Sequence, residues 1–302
     1  VEPDAAATYG FIKDFGEPMA DPRNPRAAES LFGDVSFFAM PAWPGPAYET
    51  EAAADRRGRL EDLEWTSAVK EGQTRKARVY LPAGYDPARR YPVLYVHEGQ
   101  DALEQGRMQT ALDHMIGATI EPLIAVFILL DDENPRRDMQ PMETYVKMVV
   151  TELVPLVDGK YSTIASPAGR GVVGAGSGAD AAMKCAFEES NLFGRVGSQS
   201  GFLGRAELEP VIPSADERPL TMYFDWGTYH MRSPHEAWDI AEENLGTWAL
   251  LRERGYRPAG GEIPEGFGWA CFRAHVDDML NALFPLPDTA PAGTAAVERT
   301  AM

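Results

Sequence analysis

Apolar residues in the middle of the chain occur in short runs that alternate with segments of helical spacing. Several of the runs are continuous Val, Leu, Ile and Phe, which is typical of strands buried on both faces. The predicted strands are Arg75 to Leu81, Val93 to His97, Leu123 to Asp131, Gly171 to Gly174, Arg195 to Ser198 and Leu220 to Asp225. This pattern predicts a sheet that other elements cover on both sides.

The intervening segments carry apolar residues at the spacing of one helix face. In Met142 to Val157, the residues Val146, Val149, Val150 and Leu153 share such a face. Alternating strands and helices predict an α/β fold with a mainly parallel central sheet and helices on both faces. The other predicted helices are Met108 to Ile116, Ala179 to Glu188, His235 to Arg254 and Arg273 to Leu283.

The two ends of the chain differ from this pattern. Residues 1–70 are rich in Pro, Ala, Gly and acidic residues, which predicts an extended N-terminal arm. Residues 71–284 form the predicted α/β domain, and residues 285–302 are expected to be a disordered tail. Because no basic and apolar leader precedes the domain, a cytoplasmic protein is expected, or a secreted or periplasmic one if a signal peptide was removed before Val1.

Composition excludes several classes of partner. The 302 residues include 28 Lys and Arg but 46 Asp and Glu, a formal net charge of -18, which argues against nucleic acid. The apolar run from Leu123 to Leu130 is much shorter than the roughly 18 residues of a membrane helix, so a soluble protein that does not enter membranes is expected.

Cys185 and Cys271 have no metal-ligand spacing. Free thiols are favoured for them over a single disulfide.

Functional groups on such a sheet collect at the carboxyl ends of the strands. The loops at these ends are residues 97–101, 131–138, 174–178 and 225–230. They contain no G-x-G-x-x-G motif, phosphate loop or metal-binding spacing, so we expect no cofactor and no metal. The expected partner is a small-molecule ligand or substrate, while a homo-oligomer or a protein partner stays open.

Several motifs follow one another in a fixed order along the chain. They are DPRNP at residues 21–25, ARVYLPAGYDPARRYPVLYVHEGQD at 77–101, ELVPLVDGKYSTIASPAGRGVVGAGSGADAA at 152–182, LFGRVGSQSG at 192–201 and EGFGWACFR at 265–273. Together they resemble the enterochelin-esterase-like family of α/β-hydrolases, over about residues 17–284. The resemblance implies an α/β-hydrolase fold and a Ser, His and acid triad.

The three catalytic positions that the resemblance implies are all replaced. Where the family has GxSxGG this chain has GAGSGA, which puts Gly176 at the nucleophile position. Where the family has GHxW the chain has GFGW, which puts Phe267 at the position of the base. Where the family has GTxD or GTxE the chain has GTYH, which puts His230 at the position of the acid. The resemblance therefore predicts that Ser-His-acid hydrolysis has been lost.

Ser177 is the hydroxyl next to the vacated nucleophile position. It could act as a displaced nucleophile, but Asp180 follows three residues later, so helix capping is the favoured interpretation. Glycine at position 176 fits a turn freed from catalysis, because a left-handed elbow costs a non-glycine residue about 1–3 kcal/mol.

Other polar residues near these loops are candidates for ligand binding or proton transfer. Glu98 could do acid–base work or only stabilise its loop. Its neighbours His97 and Gly99 are candidate ligand-binding residues, as is Ser177. Arg136 and Arg137 resemble the family's RxxE-type loop, in which arginine orients an anionic or catecholate-like ligand; a structural salt bridge is the alternative.

Aromatic residues extend the candidate pocket. His230 could contact a planar ligand, act as a lone base or be an exposed loop histidine. Trp226, Phe267 and Trp269 could line the same pocket, with core packing as the alternative.

These observations predict a catalytically degenerate esterase-like protein, a pseudoenzyme of its family. Its cleft would serve a cofactor-independent, non-hydrolytic reaction of the cyclase, isomerase or lyase type, or would bind a small molecule. In the first case, His230 or Glu98 and the oxyanion N–H groups would polarise the substrate. The alternatives are a non-enzymatic binding or scaffold protein, and an esterase that uses Ser177.

Overall fold

One large sheet with helices on both faces forms the protein. The computed structural model describes residues 1–14, 18–30, 33–130, 138–188, 191–230 and 239–287. The strands are β1 (Ala6–Tyr9), β2 (Phe11–Ile12), β3 (Pro18–Met19), β4 (Ala27–Ser30), β5 (Gly33–Ala39), β6 (Arg59–Ser67), β7 (Gln73–Leu81), β8 (Val93–Val96), β9 (Ile124–Leu129), β10 (Arg170–Ala175), β11 (Arg195–Gln199), β12 (Thr221–Tyr229) and β13 (Ala259–Gly266).

The α-helices lie between and after these strands. They are α1 (Gly99–Glu104), α2 (Met108–Met115), α3 (Met142–Met148), α4 (Val154–Lys160), α5 (Ser177–Glu188), α6 (Arg205–Leu208), α7 (Ile240–Glu253), α8 (Trp269–Phe272) and α9 (Val276–Leu283). A π-helical segment, Val149–Leu153, joins α3 to α4. Short 3-10 turns occur at Ala54–Arg56, Pro167–Gly169 and Arg273–His275.

The strand order confirms the predicted mainly parallel sheet. Within the described residues, the order is β4-β5-β1-β13-β12-β11-β10-β8-β9-β7-β6. The strands from β1 to β9 in this order run parallel, and the pairings outside them are antiparallel. β2 and β3 form a separate two-stranded sheet.

Two hydrophobic cores, one on each face, explain the continuous apolar runs. In β8, Val93 and Tyr95 contribute to the core under α3, α4 and α5, whereas Leu94 and Val96 contribute to the core under α2 and α9. All four side chains are at most 1% exposed. Because successive side chains of a strand point to opposite faces, a strand covered on both sides needs apolar residues at every position.

The predicted helix at Met142 to Val157 is confirmed as α3, the π-helical segment and the start of α4. Its predicted inner residues Val146, Val149, Val150 and Leu153 are all buried.

The helix predicted from His235 is described from Ile240 onward. Asp239 caps its first turn by accepting hydrogen bonds from the backbone N–H groups of Ala241 and Glu242. The predicted beginning of this helix, including His235 and Trp238, lies outside the described residues.

Strands that precede residue 70 extend the sheet at both ends. β1 pairs in parallel with β13, β5 and β4 continue the sheet beyond β1, and β6 pairs with β7 along its whole length. The sequence pattern indicated only an extended arm here, because small residues such as Ala6 and Ala7 are buried without forming an apolar run. The division of the chain near residue 70 stays a prediction.

The start of the predicted tail is ordered. Pro285 forms a bridge with Ile120, and the backbone N–H of Leu286 donates to the carbonyl of Thr119 at 3.2 Å. The rest of the predicted tail, residues 288–302, lies outside the described residues.

The predicted free thiols are confirmed. Neither Cys185 nor Cys271 forms a disulfide, and both are buried. No helix within the described ranges combines the length and the apolar character needed to cross a bilayer.

An ion cluster centred on the buried Glu265 joins the N-terminal segment to β13 and α9. Nε2 of His275 lies 3.0 Å from Oε1 of Glu265, and Nδ1 lies 3.6 Å from Oδ2 of Asp278. The indole N–H of Trp43 donates to the same Glu265 oxygen at 2.6 Å. Burial alone would lower the pKa of His275, but its hydrogen bonds to Asp278 and Glu265 and the nearby carboxylates raise it to about 10. The cluster therefore holds a protonated histidine at neutral pH.

Replacing His275 by glutamine is expected to lower the free energy of unfolding by about 2–4 kcal/mol below pH 6.5, because Glu265 would lose its buried cation. The folded-state pKa lies above the unfolded value of 6.5, so the contribution is complete below pH 6.5 and is lost as the pH rises to about 10. Urea unfolding of both proteins across this range measures the difference. His114→Gln is the control, and an equal, pH-independent loss in both variants would contradict the prediction.

Candidate functional site

A sharp turn between β10 and α5 forms the floor of the site. Gly176 adopts a left-handed conformation there, with φ of +54°. The backbone on either side is so close that a Cβ on Gly174 would lie 2.2 Å from the carbonyl carbon of Gly178. The N–H of Gly176 donates to the carbonyl of Gln199 in the neighbouring strand at 2.9 Å. Glycine therefore favours the turn at position 176, and the close approach requires glycine at position 174.

Two phenylalanine rings bound the space above Gly176. A Cβ on Gly176 would lie 3.1 Å from Cζ of Phe267 and 3.4 Å from Cε2 of Phe202. The two ring centroids are 5.4 Å apart, and both side chains are half-buried. Two aromatic rings thus lie beside Gly176, the position at which the resemblance places the nucleophile.

His230 lies against Phe267, with ring centroids 4.7 Å apart. Its Nε2 is 3.4 Å from the carbonyl oxygen of Ser200. Burial lowers the pKa of His230 to about 4, so its ring is neutral at pH 7. The structure therefore brings together Gly176, Phe267 and His230, the three positions at which the resemblance places the triad.

Glu98 lies on the other side of the same turn. Its backbone is left-handed, with φ of +51°, and its Oε2 accepts a hydrogen bond from the N–H of Gly178 at 3.2 Å. A Cβ on Gly178 would lie 3.1 Å from that oxygen. Burial, together with the nearby Asp101 and Asp180, raises the pKa of Glu98 to about 7 against the opposing effect of the Gly178 hydrogen bond.

The predicted capping box at the start of α5 does not form. Oδ1 of Asp180 instead accepts hydrogen bonds from the backbone N–H groups of Phe202 and Leu203, both at 2.9 Å, and so fixes the loop that carries Phe202. Ser177 is the first residue of α5 and is half-buried. Within the described part of the chain, no group forms a hydrogen bond with its hydroxyl.

Two predicted ligand-binding residues face the interior. Nδ1 of the fully buried His97 is 2.9 Å from the Tyr145 hydroxyl, and Nε2 is 3.9 Å from Sγ of Cys185. Trp226 is 2% exposed and packs against Trp248, with ring centroids 5.6 Å apart. Both belong to the core on the α3 and α5 face, so the structure does not place them in the cleft.

The other predicted ligand-binding residues lie in separate places. Gly99 begins α1 and is packed so closely against the sheet that a Cβ would lie 2.5 Å from the carbonyl carbon of Phe127. Trp269 is half-buried beside Phe272, with ring centroids 5.8 Å apart. Arg136 and Arg137 lie outside the described residues.

The end of the loop that carries these two arginines is described. Asp138 forms a buried ion pair with Arg75, whose NH1 lies 2.6 Å from Oδ1 of the carboxylate. The ammonium group of Lys70 also donates to the backbone carbonyl of Asp138.

Phe202 was missed among the candidate site residues. It follows β11, and the loop after that strand was not included with the other loops at the carboxyl ends of the strands. The signal that could have found it is positional, since every strand of a parallel sheet brings its following loop to the same edge.

The fold and the site define an esterase-like protein of α/β-hydrolase type. The chain matches the family model described as "Putative esterase" over residues 68–250, more than half of its length. The chain therefore belongs to this esterase family.

Two curated proteins are similar to this chain in sequence. YjcH, an uncharacterized protein of Bacillus subtilis, is 30% identical over 156 residues, which are 50% of this chain and 65% of that protein. An endo-1,4-beta-xylanase/feruloyl esterase of Xylanibacter ruminicola is 27% identical over 192 residues, 56% of this chain and 26% of that protein. The chain thus spans less than two thirds of the length of both curated relatives.

A solved structure supports the fold. The crystal structure of enterochelin esterase from Shigella flexneri matches with a TM-score of 0.69 at 20% identity, over 88% of this chain and 68% of that one. At this identity, the likeness concerns the fold.

Gly176→Ala is expected to lower the free energy of unfolding by about 1–3 kcal/mol, because an L-residue is strained at this φ and its Cβ would press on Phe267. The control is Gly159→Ala in α4, where a Cβ meets no atom within 4 Å. There, alanine is expected to stabilise the protein by about 0.4–1 kcal/mol. Thermal and urea unfolding measure both effects, and a neutral Gly176→Ala would show that the turn relaxes.

Proposed function

We propose that this member of the esterase family no longer hydrolyses esters by Ser-His-acid chemistry and uses its cleft to bind a small molecule. The observation that carries the proposal is the contact between Phe267 and Gly176. The ring carbon of Phe267 is 3.1 Å from the position that a Cβ at residue 176 would take. The nucleophile and its base are thus both missing at the point where they would meet.

Nucleophilic catalysis needs a hydroxyl within hydrogen-bonding reach, about 2.6–3.2 Å, of an imidazole or another base. Gly176 has no hydroxyl, and Phe267 has no nitrogen to accept a proton. His230 is neutral and close by, and its Nε2 lies 3.4 Å from the carbonyl oxygen of Ser200. Ser177 has no hydrogen-bonded base within the described residues, which argues against it as a displaced nucleophile.

A non-hydrolytic reaction is the second candidate, and Glu98 is the residue that favours it. A carboxyl group whose pKa is about 7 exchanges its proton readily near neutral pH, which general acid–base catalysis requires. Glu98 also lies next to the first turn of α5, since its carboxylate accepts the hydrogen bond of the Gly178 N–H. A cyclisation, isomerisation or lyase step is compatible with this arrangement.

The wild-type protein is expected to show no turnover of p-nitrophenyl acetate above the Ser177→Ala variant, because residue 176 supplies no nucleophile. Incubation with a fluorophosphonate is expected to leave the intact mass of both proteins unchanged. Ester turnover with a single adduct, both absent from the variant, would instead identify Ser177 as the nucleophile and overturn the proposal.

The triple variant Gly176→Ser, Phe267→His, His230→Asp is expected to gain ester turnover by about a hundredfold and to form a single fluorophosphonate adduct. The reason is that the three positions still adjoin one another, and a general base contributes at least about a hundredfold to such reactions. Replacing Phe267 also removes the ring that a new Cβ at position 176 would meet.

The matched control carries Gly176→Ala with the other two substitutions, so that only the hydroxyl differs. Circular dichroism and thermal unfolding establish that both variants fold. A folded triple variant that is as inactive as this control would show that the site has lost the triad geometry as well as its residues.

A further inference from the structure

The cleft above the first turn of α5 has two chemically different walls. One wall is formed by the half-buried rings of Phe202 and Phe267, which contact the turn at Gly176. The other wall carries the half-buried carboxylate of Glu98, which is hydrogen-bonded to the N–H of Gly178. Gly176 and Gly178 are two residues apart, within one helical turn of about 5.4 Å pitch. A small ligand that lies across this turn would therefore reach both walls.

Acidic groups lie near Glu98. Asp101 on α1 and Asp180 on α5 both act on Glu98, and burial raises the pKa of Asp180 itself to about 7, so Asp180 is only partly ionised at neutral pH. Among the described residues, His97 and Tyr145 nearby are neutral, since burial lowers the pKa of His97 to about 3 and raises the pKa of Tyr145 well above its ordinary value. Within the described ranges, no lysine or arginine forms an ion pair with Glu98. A ligand nitrogen with a positive charge would supply the missing partner.

We infer that the cleft takes an organic ammonium ion, whose charged nitrogen contacts the Glu98 carboxylate while its apolar part lies against Phe202 and Phe267. This inference rests on the proposed binding function of the same site. Carboxylates form strong charge-assisted hydrogen bonds with ammonium groups, and aromatic rings attract cations within about 6 Å of the ring centre. The formal net charge of -18 attracts cations to the protein over a longer range.

The affinity for an organic ammonium ion depends on pH through the ionisation of Glu98. The ligand binds the ionised form of Glu98, whose pKa is about 7 before the ligand arrives. The affinity therefore rises as the pH increases through 7 and levels off above it. Below this pH, binding releases a proton, so the measured enthalpy depends on the ionisation enthalpy of the buffer.

Calorimetric titration with benzylamine, benzyl alcohol and benzoate tests the inference on the full chain. The three probes share a ring and differ in carrying a cationic, neutral or anionic group. At about one pH unit above the pKa of Glu98, we expect the amine to bind about tenfold more tightly than the alcohol, and the benzoate to bind most weakly.

Glu98→Gln keeps the hydrogen bond to Gly178 but loses the charge, so it is expected to abolish the preference for the amine and its pH dependence. The matched control is Glu104→Gln, an exposed residue of the same helix α1 that changes the net charge equally. Phe267→Leu is expected to weaken amine binding about threefold, through the lost cation–π attraction.

Equal or tighter binding of benzyl alcohol or benzoate would overturn the ammonium class, and so would a wild-type protein that binds none of the probes. An amine preference that survives Glu98→Gln, or is lost equally in Glu104→Gln, would also contradict it. These binding results would contradict only the ammonium ligand. The proposed loss of hydrolysis would instead be contradicted by serine-dependent ester turnover in the wild-type protein.

Discussion

The close approach of β10 to the first turn of α5 is the constraint on which the site depends. The backbone of Gly178 leaves no room for a Cβ on Gly174, and the chain between the two residues turns through a left-handed glycine. Space that side chains would fill is taken by Glu98 on one side of the turn and by Phe267 on the other. The same geometry that exposes a nucleophile in a hydrolase here leaves a small uncharged floor between a carboxylate and aromatic rings.

The core of the fold could be predicted because its signal is local. Strands buried on both faces need apolar residues at every position, and helices repeat their apolar residues at one-face spacing. The same rule of alternation could have corrected two site predictions. His97 has the strand parity of Val93 and Tyr95, and Trp226 has that of Phe224, so both point into the core on the α3 and α5 face. Both residues lie near a functional loop along the chain, but the direction of their side chains places them in the core.

The parts that the sequence did not predict depend on partners that are distant along the chain. β1 consists of small and polar residues, and its burial arises from contact with β13 rather than from its own pattern. Phe202 belongs to the site because its backbone N–H donates a hydrogen bond to the carboxyl group of Asp180, which fixes its loop. The local sequence around Phe202 does not predict this hydrogen bond. The three positions at which the resemblance places the triad could be found because motifs mark them, but only the structure shows that they adjoin one another.

The pairing of β1 with β13 sets an order for events during synthesis. Ala6 pairs with Glu265, and the hydroxyl of Thr8 donates to the carbonyl of Phe267, so these contacts span 259 residues. Chains leave the ribosome at about 5–20 residues per second, and contacts between distant residues form late. β1 can join β5 early, but its other edge must wait until nearly the whole domain has emerged. The loop that carries Phe267 is therefore completed by β1 and β13, which lie far apart along the chain. A translation product interrupted before β13 would contain the other described strands of the sheet without a finished cleft.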